Sequence, residues 1–523
     1  MKDLTTSVYI FEDLIQGNFL YVDKTEYVWQ LIRPAQEMYF LSRPRRFGKS
    51  LLLSTLKAVF EGKKELFKGL ALYDKPCKWE THPVIHLDMN GRDFRTVEKM
   101  EDSFRQMLLE QAENNGVALK ENSSDTMFHE LIKTLHDKFG DVVILLDEYD
   151  KPILNNISKP NCPDFLEALK VFYSVIKAKA GMLRMAFITG VSKFSHVSLF
   201  SELNNLTDIT LSPDYAGMLG FTEAEVRECF ADRIPEAARA NGVSEEGLME
   251  NLMEWYDGYR FSAADVHVCN PVSITKFFAN HAAFANYWDS TGTPSFLLEL
   301  MRKQSYDHEA ALNDWYDESV FAAYELNRLD ITGLLWQTGY LTIKDVRRNG
   351  VEREYSLDFP DREVQETFNR RLIEFYAGTE KSSEAWSLTR QFRTAICNDD
   401  LQGFLTLFQS FLASISYNIH IPDEKYYQSI FFVVFKLLDA SIEAESQTNE
   451  GRIDAYIRTA KTVFIFEFKL NKTARKAVRQ IIDRHYYEKF QSAGLPIRLI
   501  GVNFNSSKGR IDAWKEMKLP PKA

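Results

Sequence analysis

The chain has 523 residues, 45% of them hydrophobic, 13% aromatic and 26% charged, which supports large buried cores and excludes a fibre or wholesale disorder. No run approaches the ~18 apolar residues that a membrane-spanning helix needs, and five scattered cysteines without Cys-x-x-Cys spacing argue against a disulfide framework or a zinc site. The net charge of −11 hides an asymmetry: residues 451–523 hold 16 Lys and Arg against 6 Asp and Glu, so that either this end meets a polyanion or a small surface-rich domain is simply basic.

The opening residues, with Asp3, Glu12 and Asp13, lack the charged-then-apolar pattern of a secretory signal, and the expected compartment is the cytoplasm. A turn at Gln16-Gly17-Asn18 and a helix over 25–32 precede a strand at 38–41. The next segment, Ser42-Arg43-Pro44-Arg45-Arg46-Phe47-Gly48-Lys49-Ser50, opens a stretch with helical apolar spacing over 51–60. Strands follow at 83–89, 142–146 and 183–189, separated by helical stretches near 97–115, 125–138 and 164–180. That alternation predicts a mostly parallel sheet. From about 220 to 410 the pattern turns helical, and after 411 a helix over 426–439 precedes three strand candidates and a basic helix.

A loop that opens a helix presents free backbone N–H groups and the positive end of the helix dipole to an anion. In that setting Lys49 can reach the β and γ phosphates of a nucleotide, and the Ser50 hydroxyl can ligate Mg²⁺. The full pattern is G-x-x-x-x-G-K-[ST], and here Arg43 stands at the first glycine position, where a tight backbone turn is wanted. About a hundred residues on, the apolar run Val142 to Leu146 ends in Asp147-Glu148. An acidic pair at the carboxyl end of a buried strand is where an open α/β sheet places ligand chemistry. Asp147 is suited to holding Mg²⁺ and Glu148 to polarising an attacking water.

These segments carry a resemblance. The string from Phe40 to Ser50, with Tyr21-Val22-Asp23-Lys24-Thr25 upstream and Leu146 to Pro152 downstream, resembles the bacterial AAA-ATPase-like family, and Ile188 to Ser195 and Ser201 to Leu206 are further marks of it. The resemblance spans roughly residues 7–210. It implies a P-loop NTPase fold that binds ATP and Mg²⁺ through Arg46, Phe47, Gly48, Lys49, Ser50 and Asp147, with Glu148 catalytic; Arg43 is typical of the family. Thr189 and Lys193, after another buried strand, read either as sensors near the γ-phosphate or as a polar cap on the sheet. Arg43, Arg45 and Arg46 either stabilise phosphate charge or bind another surface.

Near the C-terminus, Gly451-Arg452-Ile453-Asp454-Ala455-Tyr456-Ile457-Arg458 and Val463 to Leu470 flank a short link, Thr459 to Thr462. In the second strand Val463, Ile465, Glu467 and Lys469 share one face. With the hairpin tip at Ala460-Lys461, paired residue numbers sum to 921 and Asp454 lies opposite Glu467. Ala-Lys is not a favoured tight-turn pair, so the register is a provisional expectation. Two carboxylates on one face repel unless a cation joins them, and the Lys is placed to steer water or neutralise phosphate charge.

Asp454 with Glu467-x-Lys469 is similar to the core signature of the PD-(D/E)XK nuclease superfamily, over roughly 411–510. That resemblance implies catalytic and metal roles for Asp454 and Glu467 and a catalytic role for Lys469. Glu424 corresponds to an additional acidic residue of many members, and Gln480 is either an accessory residue or a solvated one. On the following helix Lys472, Arg475, Lys476 and Arg479 form a cationic ridge suited to a phosphodiester backbone, or a solvated face.

The expected fold class is therefore α/β: a P-loop NTPase-type parallel sheet domain over 1–215, a helical lid or connector over 216–410, and an α/β PD-(D/E)XK nuclease-like domain over 411–523. The expected function is ATP binding and hydrolysis coupled to Mg²⁺-dependent cleavage of DNA or RNA. The alternative is a nucleotide-dependent nucleic-acid-binding switch that does not cut. No membrane partner is expected, and an oligomer is compatible with the sequence.

Overall fold

A computed structural model of the chain describes residues 2–157, 159–193, 206–288, 297, 298, 300, 301, 306, 311–322, 330–377, 382–414, 427, 430, 431, 434, 446–448 and 451–519. By internal packing the chain divides into two units, Met1–Ser290 with Asn313–Val364, and Thr291–Leu312 with Gln365–Ala523.

The first unit is built on five strands: β1 (Glu37–Ser42), β2 (Val84–Asp88), β3 (Val142–Asp147), β4 (Leu183–Gly190) and β5 (Leu206–Asp208). They pair in the order β2-β3-β4-β1-β5, all parallel. Every residue of β3 is buried, which is why its sequence is an unbroken apolar run rather than an alternating one. Helices α1 (Lys49–Phe60), α2 (Val97–Asn114), α3 (Ser124–Phe139) and α4 (Cys162–Ala178) connect the strands. One core joins Phe40, Ile144, Leu146 and Ile188 of the sheet to Phe104 of α2, Phe128 and Leu131 of α3 and Phe172 of α4. The rings of Phe104, Phe128 and Phe172 stack within it. The strands and connecting helices fall within a residue or two of their expected bounds, and β5 is an addition to them.

The same unit holds the expected helical segments, among them Glu223–Cys229, Ile234–Asn241, Glu245–Tyr256, Pro271–Ala279 and α5 (Ile331–Thr338). It also holds a small antiparallel sheet that apolar periodicity did not anticipate, β6 (Trp315–Tyr316), β7 (Thr342–Asn349) and β8 (Glu352–Asp358), in the order β6-β8-β7. Its signal is local: Asn349-Gly350 stands at the tip, with Gly350 at φ 65, a strong hairpin dipeptide. Helix α6 (Arg362–Ala377) follows.

In the second unit β9 (Ala455–Arg458), β10 (Val463–Leu470), β11 (Ile497–Asn505) and β12 (Arg510–Leu519) form one sheet in that order. The β9–β10 and β11–β12 pairs are antiparallel, and β10–β11 is parallel. Helix α7 (Ala474–Asp483) makes the β10-to-β11 crossover and packs Val478 and Ile481 against Val463, Ile465 and Leu499. The opposite face is aromatic, with Phe466 and Phe468 of β10 against Phe404 and Phe431. Gly501 on β11 is required by this packing, because a Cβ there would lie 2.3 Å from the Ala474 carbonyl of α7.

Candidate functional site

Two clusters of polar side chains form where the sequence placed them, one in each unit. In the first, parallel pairing sets Leu41 beside Thr189 and Ser42 beside Gly190, so the ends of β1 and β4 lie together. Pairing of β3 with β4 brings the end of β3 to the same edge. The loop after β1 turns into α1 through Gly48 at φ 92, left-handed backbone that favours glycine. Lys49, at the first turn of α1, is buried and its ammonium donates to the carbonyls of Arg43 and Pro44 at 2.8 and 2.9 Å. Burial lowers its pKa, while Asp147, Glu148 and Asp150 pull the other way.

Ser50 donates from Oγ to Asp147 Oδ2 at 2.5 Å across 97 residues of sequence. Thr189 donates to the other carboxylate oxygen at 2.7 Å. Asp147 therefore binds the helix of the loop and the end of β4 at once, and Thr189 joins the cluster directly. Glu148 holds left-handed backbone at φ 53, and its carboxylate pairs with Lys151 at 2.9 Å. Burial would raise its pKa, but Lys151, Lys49 and Arg45 outweigh it and keep the carboxyl below its usual value.

The arginines of the loop diverge. Arg43 is buried, donates to the carbonyls of Ser42 and Thr210 at 2.9 and 2.8 Å, and lies 4.2 Å over the Phe261 ring. Burial pushes its pKa down to about 9, with Asp208 opposing. Its side chain thus supports the loop from within the fold. Arg45 is exposed, and Arg46 donates to the Tyr287 carbonyl at 3.0 Å. Phe47 is a packing residue, with its ring against Tyr259 and Phe261. Lys193 is buried and its ammonium pairs with Asp208 at 2.7 Å, at the end of β5. Asp150, to which sequence reasoning gave no role, is buried and accepts from Val191 N, Ser192 N and Ser192 Oγ at 3.1, 2.7 and 2.7 Å. It fixes the turn that follows β4, and burial raises its pKa.

In the second unit the cross-strand pairs are Ala455–Phe466, Tyr456–Ile465, Ile457–Phe464 and Arg458–Val463, the register expected from the hairpin. Thr459 explains why an Ala-Lys tip suffices: its Oγ1 accepts from Lys461 N at 3.2 Å and Thr462 N at 3.0 Å, so a side chain does the work of a favoured turn residue. Asp454, just before the ladder, accepts from Phe468 N at 2.8 Å. Glu467 is buried, and Lys469 donates to Glu467 Oε1 and to the Phe468 carbonyl, both at 2.8 Å. The three residues are thus held together at one strand.

Tyr486, which sequence reasoning missed, is buried and hydrogen-bonded to Gln480. Burial raises its pKa, and the charges of Glu467 and Asp454 raise it further. Its only sequence signal is a tyrosine six residues after Gln480. Lys472, Arg475, Lys476 and Arg479 are all exposed along the start and outer face of α7, with Arg479 3.6 Å from Asp483. Glu424 lies outside the described residues. Among the described residues no group of three or more His, Cys, Asp or Glu side chains is gathered to hold a metal. Asp454 and Glu467 supply two hard oxygen-donor groups, the type a Mg²⁺ ion takes.

Comparisons with known proteins agree with this division. The family described as predicted AAA-ATPase matches residues 6–200, and the PD-(D/E)XK nuclease superfamily matches 422–514. A relative from Azotobacter chroococcum mcd 1, named as an uncharacterized protein in the vnfD 5' region, is 35% identical over 514 residues, 96% of each chain. Among solved structures, the Aeropyrum pernix ORC2 protein in ADPNP–ADP complexes is matched at 13% identity, over 70% of this chain and 94% of that one. The TM-score is 0.27. With both domains in the same order as the expected fold and a relative similar over nearly its whole length, the chain belongs to the predicted AAA-ATPase family with a C-terminal PD-(D/E)XK nuclease-superfamily domain.

Proposed function

We propose that the chain binds and hydrolyses ATP with Mg²⁺ at the loop of residues 42–50, and that its C-terminal domain is a Mg²⁺-dependent nucleic-acid phosphodiesterase. The observation that carries the reading is the 2.5 Å bond from Ser50 to Asp147, a hydroxyl at the start of α1 and a carboxylate at the end of β3 brought together at the mouth of a helix-opening loop. That donor pair fits a divalent ion beside nucleotide phosphates. Lys49, buried and donating to the Arg43 and Pro44 carbonyls, supplies the positive charge for the β and γ phosphates. Glu148, kept ionised beside Lys151, is the group to orient a water. Thr189 reports on Asp147, and Lys193 acts through Asp208 on the edge strand.

In the C-terminal domain Asp454 and Glu467 would hold Mg²⁺, with Glu424 as a further acid. A divalent ion bound there supplies charge neutralisation at phosphate and a more acidic water. Lys469 positions that water or the phosphate, Gln480 and Tyr486 buttress the carboxylates, and Lys472, Arg475, Lys476 and Arg479 hold the DNA or RNA backbone. In this reading 1–215 is the nucleotide domain, 216–410 a lid or connector and 411–523 the nuclease-like domain. Five free cysteines accord with a cytoplasmic location.

One observation favours a second reading. The Lys469–Glu467 pair at 2.8 Å neutralises within the chain some of the charge that would attract a cation. A switch that grips nucleic acid without cutting it needs no more than that. Incubating the full-length protein with plasmid, single-stranded DNA and RNA, with and without Mg²⁺ and ATP, separates the two. Mg²⁺-dependent cleavage that disappears in Glu467→Gln supports the phosphodiesterase. Binding without cleavage under every metal and nucleotide condition supports the switch.

A further inference from the structure

Arg46 sits in the phosphate-type loop at φ 68, left-handed backbone that a non-glycine residue keeps only when its surroundings fix it. What fixes it comes from far along the sequence. Its guanidinium donates to the Tyr287 carbonyl at 3.0 Å. The amides of Tyr287 and Trp288 both donate to Glu363 Oε1, the latter at 2.7 Å. Ser273, on the Pro271–Ala279 helix, donates to Glu363 Oε2 at 2.7 Å, and Asn286 donates to the Glu363 carbonyl at 2.9 Å. Glu363 is fully buried in the first turn of α6, where Asp361 accepts from Val364 N at 2.8 Å.

A buried carboxylate with this many donors is an anchor, and it holds the 286–288 segment in place. The anchored segment offers its Tyr287 carbonyl to Arg46, two residues before Gly48. Electrostatics runs along the same path. Burial lifts the Glu363 carboxyl to about 7, while Ser273, the two amides and then the Arg46 charge oppose the lift. Burial in turn lowers Arg46, and Glu363 opposes that. Phe47 adds a second tie to the same region through Tyr259 and Phe261, at ring distances of 4.7 and 5.3 Å.

We propose that Glu363 is a positioning residue of the nucleotide site: it fixes the 286–288 segment, that segment fixes Arg46, and Arg46 holds the loop in the shape that receives a nucleoside triphosphate. The inference rests on the nucleotide reading above and extends it to the middle of the sequence, which then forms the wall behind the loop. The charge matters as well as the shape. Glutamine in place of Glu363 still offers one oxygen to both amides but no longer faces Arg46 with a negative charge.

The test is a double-mutant cycle on the full-length protein with MgATP as the probe. Arg46→Ala and Glu363→Gln should each weaken binding about tenfold, the scale of one charge-assisted contact. The double variant should be no weaker than Arg46→Ala alone, because the second change has nothing left to act through. A merely structural role would not vanish in the Arg46→Ala background. If Glu363→Gln does not fold, Ser273→Ala takes its place, with an expected loss of about threefold that is again absent beside Arg46→Ala. A folded Glu363→Gln protein with wild-type affinity, or losses that multiply in the double variant, overturns the proposal. If the wild type binds MgATP, Lys49→Ala does not and the Glu363 variants match the wild type, only this inference falls. If the wild type binds none, the nucleotide reading falls with it.

Discussion

Lys49 is buried beside three acidic groups with its ammonium on two backbone carbonyls, so its charge is stored in the loop before any phosphate arrives. Lys49→Ala should weaken MgATP binding by about ten- to a hundredfold, the range of charged hydrogen bonds, as read by isothermal titration on a folded variant. Arg43 leads to the opposite expectation from its motif position. Restoring glycine there completes the G-x-x-x-x-G-K-[ST] pattern, but it deletes two hydrogen bonds from a charged group and a contact 4.2 Å over Phe261. Arg43→Gly should therefore lower stability by about 2 kcal/mol or more. Urea unfolding at unchanged stability would show that the side chain does not support the loop. A motif identifies which residue types meet a ligand, and it cannot say which side chain has turned inward.

At the scale of elements, α7 and β11 meet through a position with no side chain. Gly501→Ala puts a Cβ 2.3 Å from the Ala474 carbonyl and 2.8 Å from the Ala477 Cβ, backbone and core that have little room to yield. The expected cost is about 1–3 kcal/mol of overpacking, seen as a lower unfolding midpoint of the C-terminal unit, with MgATP affinity unchanged. The start of α6 makes a prediction in pH. The Glu363 carboxyl, raised to about 7 by burial, binds its proton more tightly in the folded chain than in the unfolded one. Its contribution to stability is thus present in full below its ordinary value near 4.5 and is lost as the pH rises through about 7. Asp361 beside it is also raised, by burial and by Glu363, and Asp257 adds to that effect. Urea midpoints should fall between pH 5 and 7.5 in the wild type and fall less in Glu363→Gln. Equal slopes would remove Glu363 from the titration. These elements were unevenly legible. The apolar run of β3 and the 921 register of β9 and β10 follow from local pattern. The β7–β8 hairpin passed unread because polar and charged residues dominate it, although Asn349-Gly350 marks its tip.

Across the whole molecule, charge is divided between the ends of the chain, with residues 451–523 basic and the rest acidic. If the ridge on α7 meets phosphates, nucleic-acid affinity should fall with salt, with a slope near −0.9 for each phosphate neutralised. Replacing Lys472, Lys476 and Arg479 together by alanine should flatten that slope by about two to three units, since each exposed cation releases about one counterion. Titration of labelled DNA and RNA at several salt concentrations gives the answer, and an unchanged slope moves the contact elsewhere. The sequence by itself determined the two α/β domains, the strand-loop-helix around Lys49 and Ser50, the acidic strand end at Asp147 and the Asp454, Glu467 and Lys469 set. Each is written in residues a few positions apart, where strand and helix periodicity decides which side chains share a face. Only the tertiary structure decided that Ser50 meets Asp147, that Arg43 turns inward and that Lys193 pairs with Asp208. It alone showed Glu363 anchoring the 286–288 segment that holds Arg46. Those contacts join residues 15 to 241 positions apart, and their existence depends on strand order and on which buried charges find partners. Local pattern carries no record of either.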